Sequence, residues 1–247
     1  MISIFNDVIG PVMRGPSSSH SAAGLRIGRI ARDLMNENIT KVKIEYDPSG
    51  SLKTTHTSQG TDMGLYSGLL GFDTKDEELI NYLNHIEKSG IEIVVEYNSL
   101  PVDHPNTYKL TLRNKDEQHE LVAISTGGGM IEVLSIDGET ISFIGDCYYS
   151  LIFANQNTER NKLIEIIQEE GNFIEHQNER FISIKTFEKP DNRLLNIVSD
   201  LVKEENIRIL EPVLPVLSLN EIEIPFVTAE ELSRYNVEKN LEIWQLA

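Results

Sequence analysis

Residues 15–28, GPSSSHSAAGLRIG, set three consecutive serines and a histidine between a Gly-Pro turn and an amphipathic pattern. A helix start needs one capping side chain, so Ser17, Ser18, Ser19 and His20 exceed what folding alone requires. The N-terminus of a helix offers unpaired N–H groups and a partial positive charge. Hydroxyls added to those amides make a cradle for an anion, either a carboxylate or a phosphate. At the first turn the helix dipole favours the neutral form of the His20 imidazole, which accepts a proton or polarises a bound group. The plainer reading is one serine cap beside a solvated histidine.

Three more short stretches carry polar or glycine residues in unusual company. In SQGTD, residues 58–62, Thr61 or Asp62 caps a helix and is also placed to reach a ligand. In DHPN, residues 103–106, Pro105 forces His104 into extended backbone and the Asn106 side chain braces the turn. In STGGG, residues 125–129, Gly127, Gly128 and Gly129 let the backbone approach either a ligand or another strand, with a strand-edge bulge as the ordinary alternative. The run lacks the Gly-Lys-Ser/Thr ending of a P-loop.

The periodicity predicts the elements that hold these stretches. Ala23, Ile27, Ile30, Ala31 and Leu34 recur at helical spacing over residues 20–36, with Arg26, Arg29 and Arg32 among them. A strand is expected over 39–46, a short helix from residue 60, and a second helix over 76–89 stopped by Gly90. IEIVVEY, TYKLTLR, HELVAIS and GMIEVLSI read as strands, the second and third of these joined by the charged turn NKDEQ. The composition breaks near GDCYYS. Beyond it, strand, helix, strand, strand, helix and strand follow in the βαββαβ order of a small ferredoxin-like module. A proline-bearing linker and a last helix, capped by Thr228 with Glu231 three residues on, complete the chain. The fold class is α+β, with units at 1–146, 147–217 and 218–247. Leu241, Ile243, Trp244 and Leu246 have no evident partner within the chain.

Composition narrows the function. The chain has 247 residues, enough for a sizeable core, and 22 Lys plus Arg against 39 Asp plus Glu give a formal charge of −17. Such a surface repels phosphate backbones and anionic bilayers, so neither nucleic acid nor a membrane is expected as a partner. No apolar run reaches the roughly 18 residues of a membrane span, and the opening lacks the pattern of a signal peptide, so a cytoplasmic location is expected. Cys147 is the single cysteine. It leaves no internal disulfide and no set of thiolates able to hold a metal cluster.

GPVMRGPSSSHSAAGLRIGRIAR, the pair Gly50-Ser51 with Gly60–Asp62, then HPN and STGGG, stand in an order and spacing that closely resemble the beta chain of iron-sulfur dependent L-serine dehydratase. The resemblance covers roughly the first 140 residues, and the combination is specific although each piece is weak. It implies deamination of L-serine to pyruvate and ammonia. It also implies an alpha-chain partner holding a 4Fe-4S cluster on its cysteines, and an ACT-like module after the matched part. The assembly is then a homo- or hetero-oligomer. Carried over by motif, His20 is the catalytic candidate, as base or orienting group, and Ser17, Ser18 and Ser19 bind the substrate carboxylate. Thr61, Asp62, His104 and Asn106 line or brace the cleft, with Gly127, Gly128 and Gly129 nearby. The alternative is a regulatory module that binds a small anion or amino acid without catalysis, as a similar beta fold does in some phosphoglycerate dehydrogenases.

Three positions depart from the family pattern. Ser21 stands where threonine is common, and it keeps the hydroxyl. Ser58 and Gln59 replace a Gly-His before GTD, which removes the imidazole there. The loop ANQNTERNK lacks the Pro-Gly of effector-binding modules, which points to a supporting role in assembly. The final residues faintly resemble the opening helix of an alpha chain, as a docking segment or the cut edge of a longer one.

Overall fold

A computed structural model describes residues 14–100, 102–154, 157–170, 174–214 and 228–239. The first helix, α1, spans Ser18–Leu34, and the strand β1, Lys41–Tyr46, follows. A single helical turn α2, Leu52–Thr55, leads into α3, Thr61–Leu69. A 3-10 segment, Glu77–Asn81, runs into α4, Tyr82–Ser89, and then β2, Glu92–Tyr97. Four strands complete this part: β3, Thr107–Arg113; β4, Gln118–Gly127; β5, Met130–Ile136; and β6, Glu139–Phe143. The sheet order is β2-β1-β3-β4-β5-β6, with β1 and β2 parallel and the other pairs antiparallel. The parallel pair needs a long crossover, and α2, α3 and α4 supply it.

Helices α1 and α3 run parallel and nearly touch backbone to backbone. A Cβ built on Gly64 would lie 1.9 Å from the Ser21 carbonyl oxygen, and one on Gly68 would lie 2.1 Å from that of Leu25. Gly24 and Gly28 make the same approach from α1. The contacts advance together along both helices, so the two N-termini lie side by side. On its other face α1 buries Ala23, Ile27, Ile30, Ala31 and Leu34 in the core over the sheet.

The second half comprises β7, Tyr148–Phe153; α5, Asn157–Glu169; β8, Ile174–Gln177; β9, Phe181–Thr186; α6, Asn192–Val202; and β10, Ile207–Leu210. Its sheet order is β10-β7-β9-β8, all neighbours antiparallel, which is the βαββαβ arrangement expected. The core beneath α1 continues into this sheet through Tyr149, Leu151, Phe181 and Leu210. Arg208, 3% exposed, joins the halves. Its Nε donates to the Leu34 carbonyl at 2.7 Å, satisfying the end of α1, and its guanidinium pairs with Glu117. The last helix, α7, Ala229–Lys239, carries the expected reciprocal cap between Thr228 and Glu231. Leu241, Ile243, Trp244 and Leu246 lie outside the described residues. No helix among the described residues is long and apolar enough to cross a membrane.

Several expectations shift. Helix α1 starts two residues before His20, so Ser18 and Ser19 belong to its first turn. The helix expected over 76–89 divides at Asn81 into a 3-10 piece and α4, with Gly90 ending it at φ +76° as anticipated. Two elements were not foreseen, α2 in a polar stretch and β6, whose ETISF is too short to stand out. Arg26, one of three arginines on α1, is 1% exposed.

Candidate active site

The N-terminus of α1 is organised around His20. Ser17 occupies the N-cap position, yet its side chain makes no capping hydrogen bond. Its Oγ lies 2.9 Å from His20 Nδ1 and 3.5 Å from Ser19 Oγ. The hydroxyl expected to close the helix thus holds the imidazole. Partial burial lowers the pKa of His20, so the neutral ring prevails near pH 7. Ser18 is exposed, while Ser17, Ser19 and His20 are half-buried.

The second helix start adjoins the first. The Ser17 amide donates to the Gln59 carbonyl at 3.2 Å, and Gly60 sits at φ +84° against Ser21 and Pro16. A Cβ there would come within 2.6 Å of Ser21 Oγ, so glycine serves both the backbone angle and the approach. The two helix N-termini thus lie side by side; the start of α3 is buried, its Asp62 amide donating to the His56 carbonyl at 3.1 Å, and the first turn of α1 is the part-exposed one.

The remaining candidates divide into those near this cradle and those that brace it. Asp62 is turned inward. Its carboxylate oxygens are both 2.8 Å from His56 Nδ1, and Oδ2 accepts from Thr57 Oγ1 at 2.7 Å. Thr61 is fully buried. His104 and Asn106 meet the segment after β1. Asn106 Oδ1 accepts from Ser51 Oγ at 2.5 Å, the Ser51 amide donates to the Pro105 carbonyl, and His104 Nδ1 accepts from the Asn106 amide at 3.2 Å. His104 also lines a polar concavity of about 510 Å³ with Asp47, Ser49, Gly50, Ser99 and Asp103. Among the described residues no hydrogen bond links the His20 cluster directly to His104. The segment 51–62 connects them, touching the HPN loop at Ser51 and the serine cradle at Gln59.

Gly128 and Gly129, at φ +60° and +81°, form the two-residue turn of the β4–β5 hairpin. A side chain on Gly127 or Gly128 would meet nothing within 4 Å, so backbone angle explains these glycines rather than a close approach within the chain. Gly129 does face inward, and its carbonyl accepts from the Arg26 guanidinium. Burial lowers the Arg26 pKa to about 10, which leaves it charged at neutral pH. A buried cation thus ties the middle of α1 to the glycine hairpin.

Two residues escaped sequence reasoning. His56 brings an imidazole onto Asp62 from the turn of α2, three residues before Gln59. Tyr97, at the end of β2, has its hydroxyl 2.8 Å from His56 Nε2. The spacing of six residues between His56 and Asp62 is not regular for a helix or a strand, so no periodic signal exposed the pair.

No protein-family model matches the chain. It is 40% identical over 144 residues to the probable L-serine dehydratase beta chain of Bacillus subtilis (strain 168), covering 58% of this chain and 64% of that relative. It is 31% identical over 156 residues to the L-serine dehydratase beta chain of Peptoniphilus asaccharolyticus, covering 62% of this chain and 68% of that one. The chain belongs to the L-serine dehydratase beta-chain family. It spans 64% of the length of the Bacillus subtilis relative.

For an L-serine dehydratase beta chain the donor set matters. The single cysteine, Cys147, is 1% exposed in the core. Among the described residues no three His, Cys, Asp or Glu side chains converge as metal ligands. An iron-sulfur cluster, which draws on several thiolates, does not fit the residues of this chain.

Proposed function

We propose that this chain is the beta subunit of an L-serine dehydratase that converts L-serine to pyruvate and ammonia with an alpha chain carrying a 4Fe-4S cluster. The observation that carries the reading is the Ser17–His20 contact at paired helix N-termini. In this reading the first-turn amides and the hydroxyls of Ser17, Ser18 and Ser19 hold the substrate carboxylate. With His20 Nδ1–H donating to Ser17 Oγ, Nε2 keeps its lone pair and takes the proton from the substrate Cα. Loss of that proton and of the β-hydroxyl gives an enamine, whose imine tautomer adds water and releases ammonia. His104 and Asn106 fix the loop beside segment 51–62, and Arg26 fixes the Gly127–Gly129 hairpin. In this reading the subunit works in the cytoplasm, in keeping with a sequence whose single cysteine offers no internal disulfide framework.

Anaerobic reconstitution with the alpha chain tests this. Serine turnover appears only with both chains present, and His20→Ala lowers it by roughly 10²- to 10⁴-fold, the span of a lost general base. Turnover by His20→Ala within twofold of wild type removes His20 from the chemistry. Binding of an amino acid by this chain, with no turnover in any reconstitution, favours the regulatory alternative.

A further inference from the structure

The contact between Asp62, His56 and Tyr97 has a direction. Both carboxylate oxygens of Asp62 face His56 Nδ1 at 2.8 Å, and Asp62 is also held by Thr57. An ionised carboxylate only accepts, so Nδ1 carries the hydrogen and donates. In the neutral ring Nε2 is then an acceptor, and the group 2.8 Å from it, the Tyr97 hydroxyl, must donate. The hydrogen of Tyr97 is thereby committed inward. Its oxygen is left with lone pairs only, on a residue 43% exposed.

We propose that the Asp62–His56–Tyr97 chain sets the Tyr97 oxygen as an outward acceptor for the α-ammonium group of the substrate amino acid. The inference rests on the lyase reading and adds to it how an amino acid is told from a hydroxy acid. The helix cradle handles the carboxylate, and a separate acceptor is needed for the positive end of the zwitterion. Asp62, the inner end of this chain, lies in the first turn of α3, and the Ser17 amide donates to the Gln59 carbonyl just before that turn. Tyr97 and Tyr46 are paired at the ends of the parallel strands β2 and β1. The chain beyond both strands, at Asp47 and Ser99, lines the concavity that also holds His104. Tyr46 packs on the His56 ring at 5.2 Å between centroids and keeps it from turning. Asp47 and Asp103 add negative charge to the same concavity. Lys53 Nζ stands over the Tyr97 ring, 6.0 Å from its centroid.

A second histidine–carboxylate pair makes the contrast. His119 Nδ1 lies 2.7 Å from Asp137, but both side chains are under 10% exposed and Nε2 faces Glu117 at 3.5 Å. That pair has no outward end and acts in packing alone.

The test uses two readouts. Nitrogen-15 NMR of the full chain, labelled at histidine, shows His56 with hydrogen on Nδ1 and a bare Nε2. A hydrogen on Nε2 of neutral His56 overturns the proposal. In the complex with the alpha chain, Tyr97→Phe weakens L-alanine at least tenfold and L-lactate less than twofold, by calorimetry or as competitive inhibitors. His56→Gln shows the same selectivity. Equal losses for the two ligands, or none, overturn the proposal. Because calorimetry needs no turnover, selective loss in a complex that never converts serine sinks the lyase reading and leaves the ammonium acceptor standing.

Discussion

Ser17 spends its hydroxyl on His20 instead of on the helix, and this separates stability from chemistry at a single atom. An N-cap serine that accepts from the helix amides is worth about 1 kcal/mol, and alanine in its place normally loses that. Here the capping bond is not made, so Ser17→Ala should change the unfolding free energy by less than about 0.5 kcal/mol. The same change frees the His20 ring to rotate, because the 2.9 Å contact to Nδ1 is its hold. Turnover should therefore fall about tenfold, with KM for serine altered less, since Ser18 and Ser19 remain. Chemical denaturation and steady-state kinetics on one preparation check both halves. A loss of 1 kcal/mol or more with unchanged kcat would make Ser17 an ordinary cap.

At the scale of elements, the glycines of α1 and α3 decide where the two helix starts lie. Gly64→Ala drives a methyl group to 1.9 Å from the Ser21 carbonyl, which only a shift of one helix relieves. We expect it to destabilise the chain by about 3 kcal/mol, at the upper end of overpacking costs. Gly128→Ala meets open space and bears only the φ +60° strain, about 1–2 kcal/mol. Equal effects in thermal and urea unfolding would contradict tight packing as the reason for Gly64. These helices also show what the sequence could tell. Helix α1 was legible because Ala23, Ile27, Ile30 and Leu34 repeat on one face, and β1 and β3 because apolar and polar residues alternate along KVKIEY and TYKLTLR. The burial of Arg26 was hidden, since its partner is a carbonyl 103 residues away and no local pattern marks a buried cation. The His56–Asp62 pair was hidden too, because α2 is a single turn that a polar composition conceals. The serines and His20 stood out by their types alone, whereas the inward turn of Asp62 needed the tertiary structure.

Across the whole molecule, α1 carries the cradle at one end and meets the second sheet at the other. There Arg208 caps Leu34, and Asp33 Oδ2 accepts from the Glu211 amide at 2.9 Å. A cavity of about 430 Å³ opens at this junction, lined by Arg29, Arg32, Asp33, Ser199 and Glu211 among others. Burial, aided by the Glu211 charge, raises the Asp33 pKa from 3.8 to about 7. In the unfolded chain this carboxyl loses its proton near pH 4, whereas in the folded chain it keeps it until near pH 7. The folded state therefore binds the extra proton in that window, and stability attributable to Asp33 falls as pH rises from 4 to 7. The full loss is on the order of 2–4 kcal/mol. Asp33→Asn keeps an acceptor for the Glu211 amide and has no charge to bury. Urea unfolding at a series of pH values should find the two proteins nearly equal near pH 4 and Asp33→Asn the more stable by about 2 kcal/mol or more at pH 8. Taking the difference between the two cancels every other titrating group, so a gap that stays constant with pH would show that Asp33 ionises as freely in the fold as outside it. A gap that opens as expected places a proton-linked joint at the far end of the same helix whose first turn holds His20.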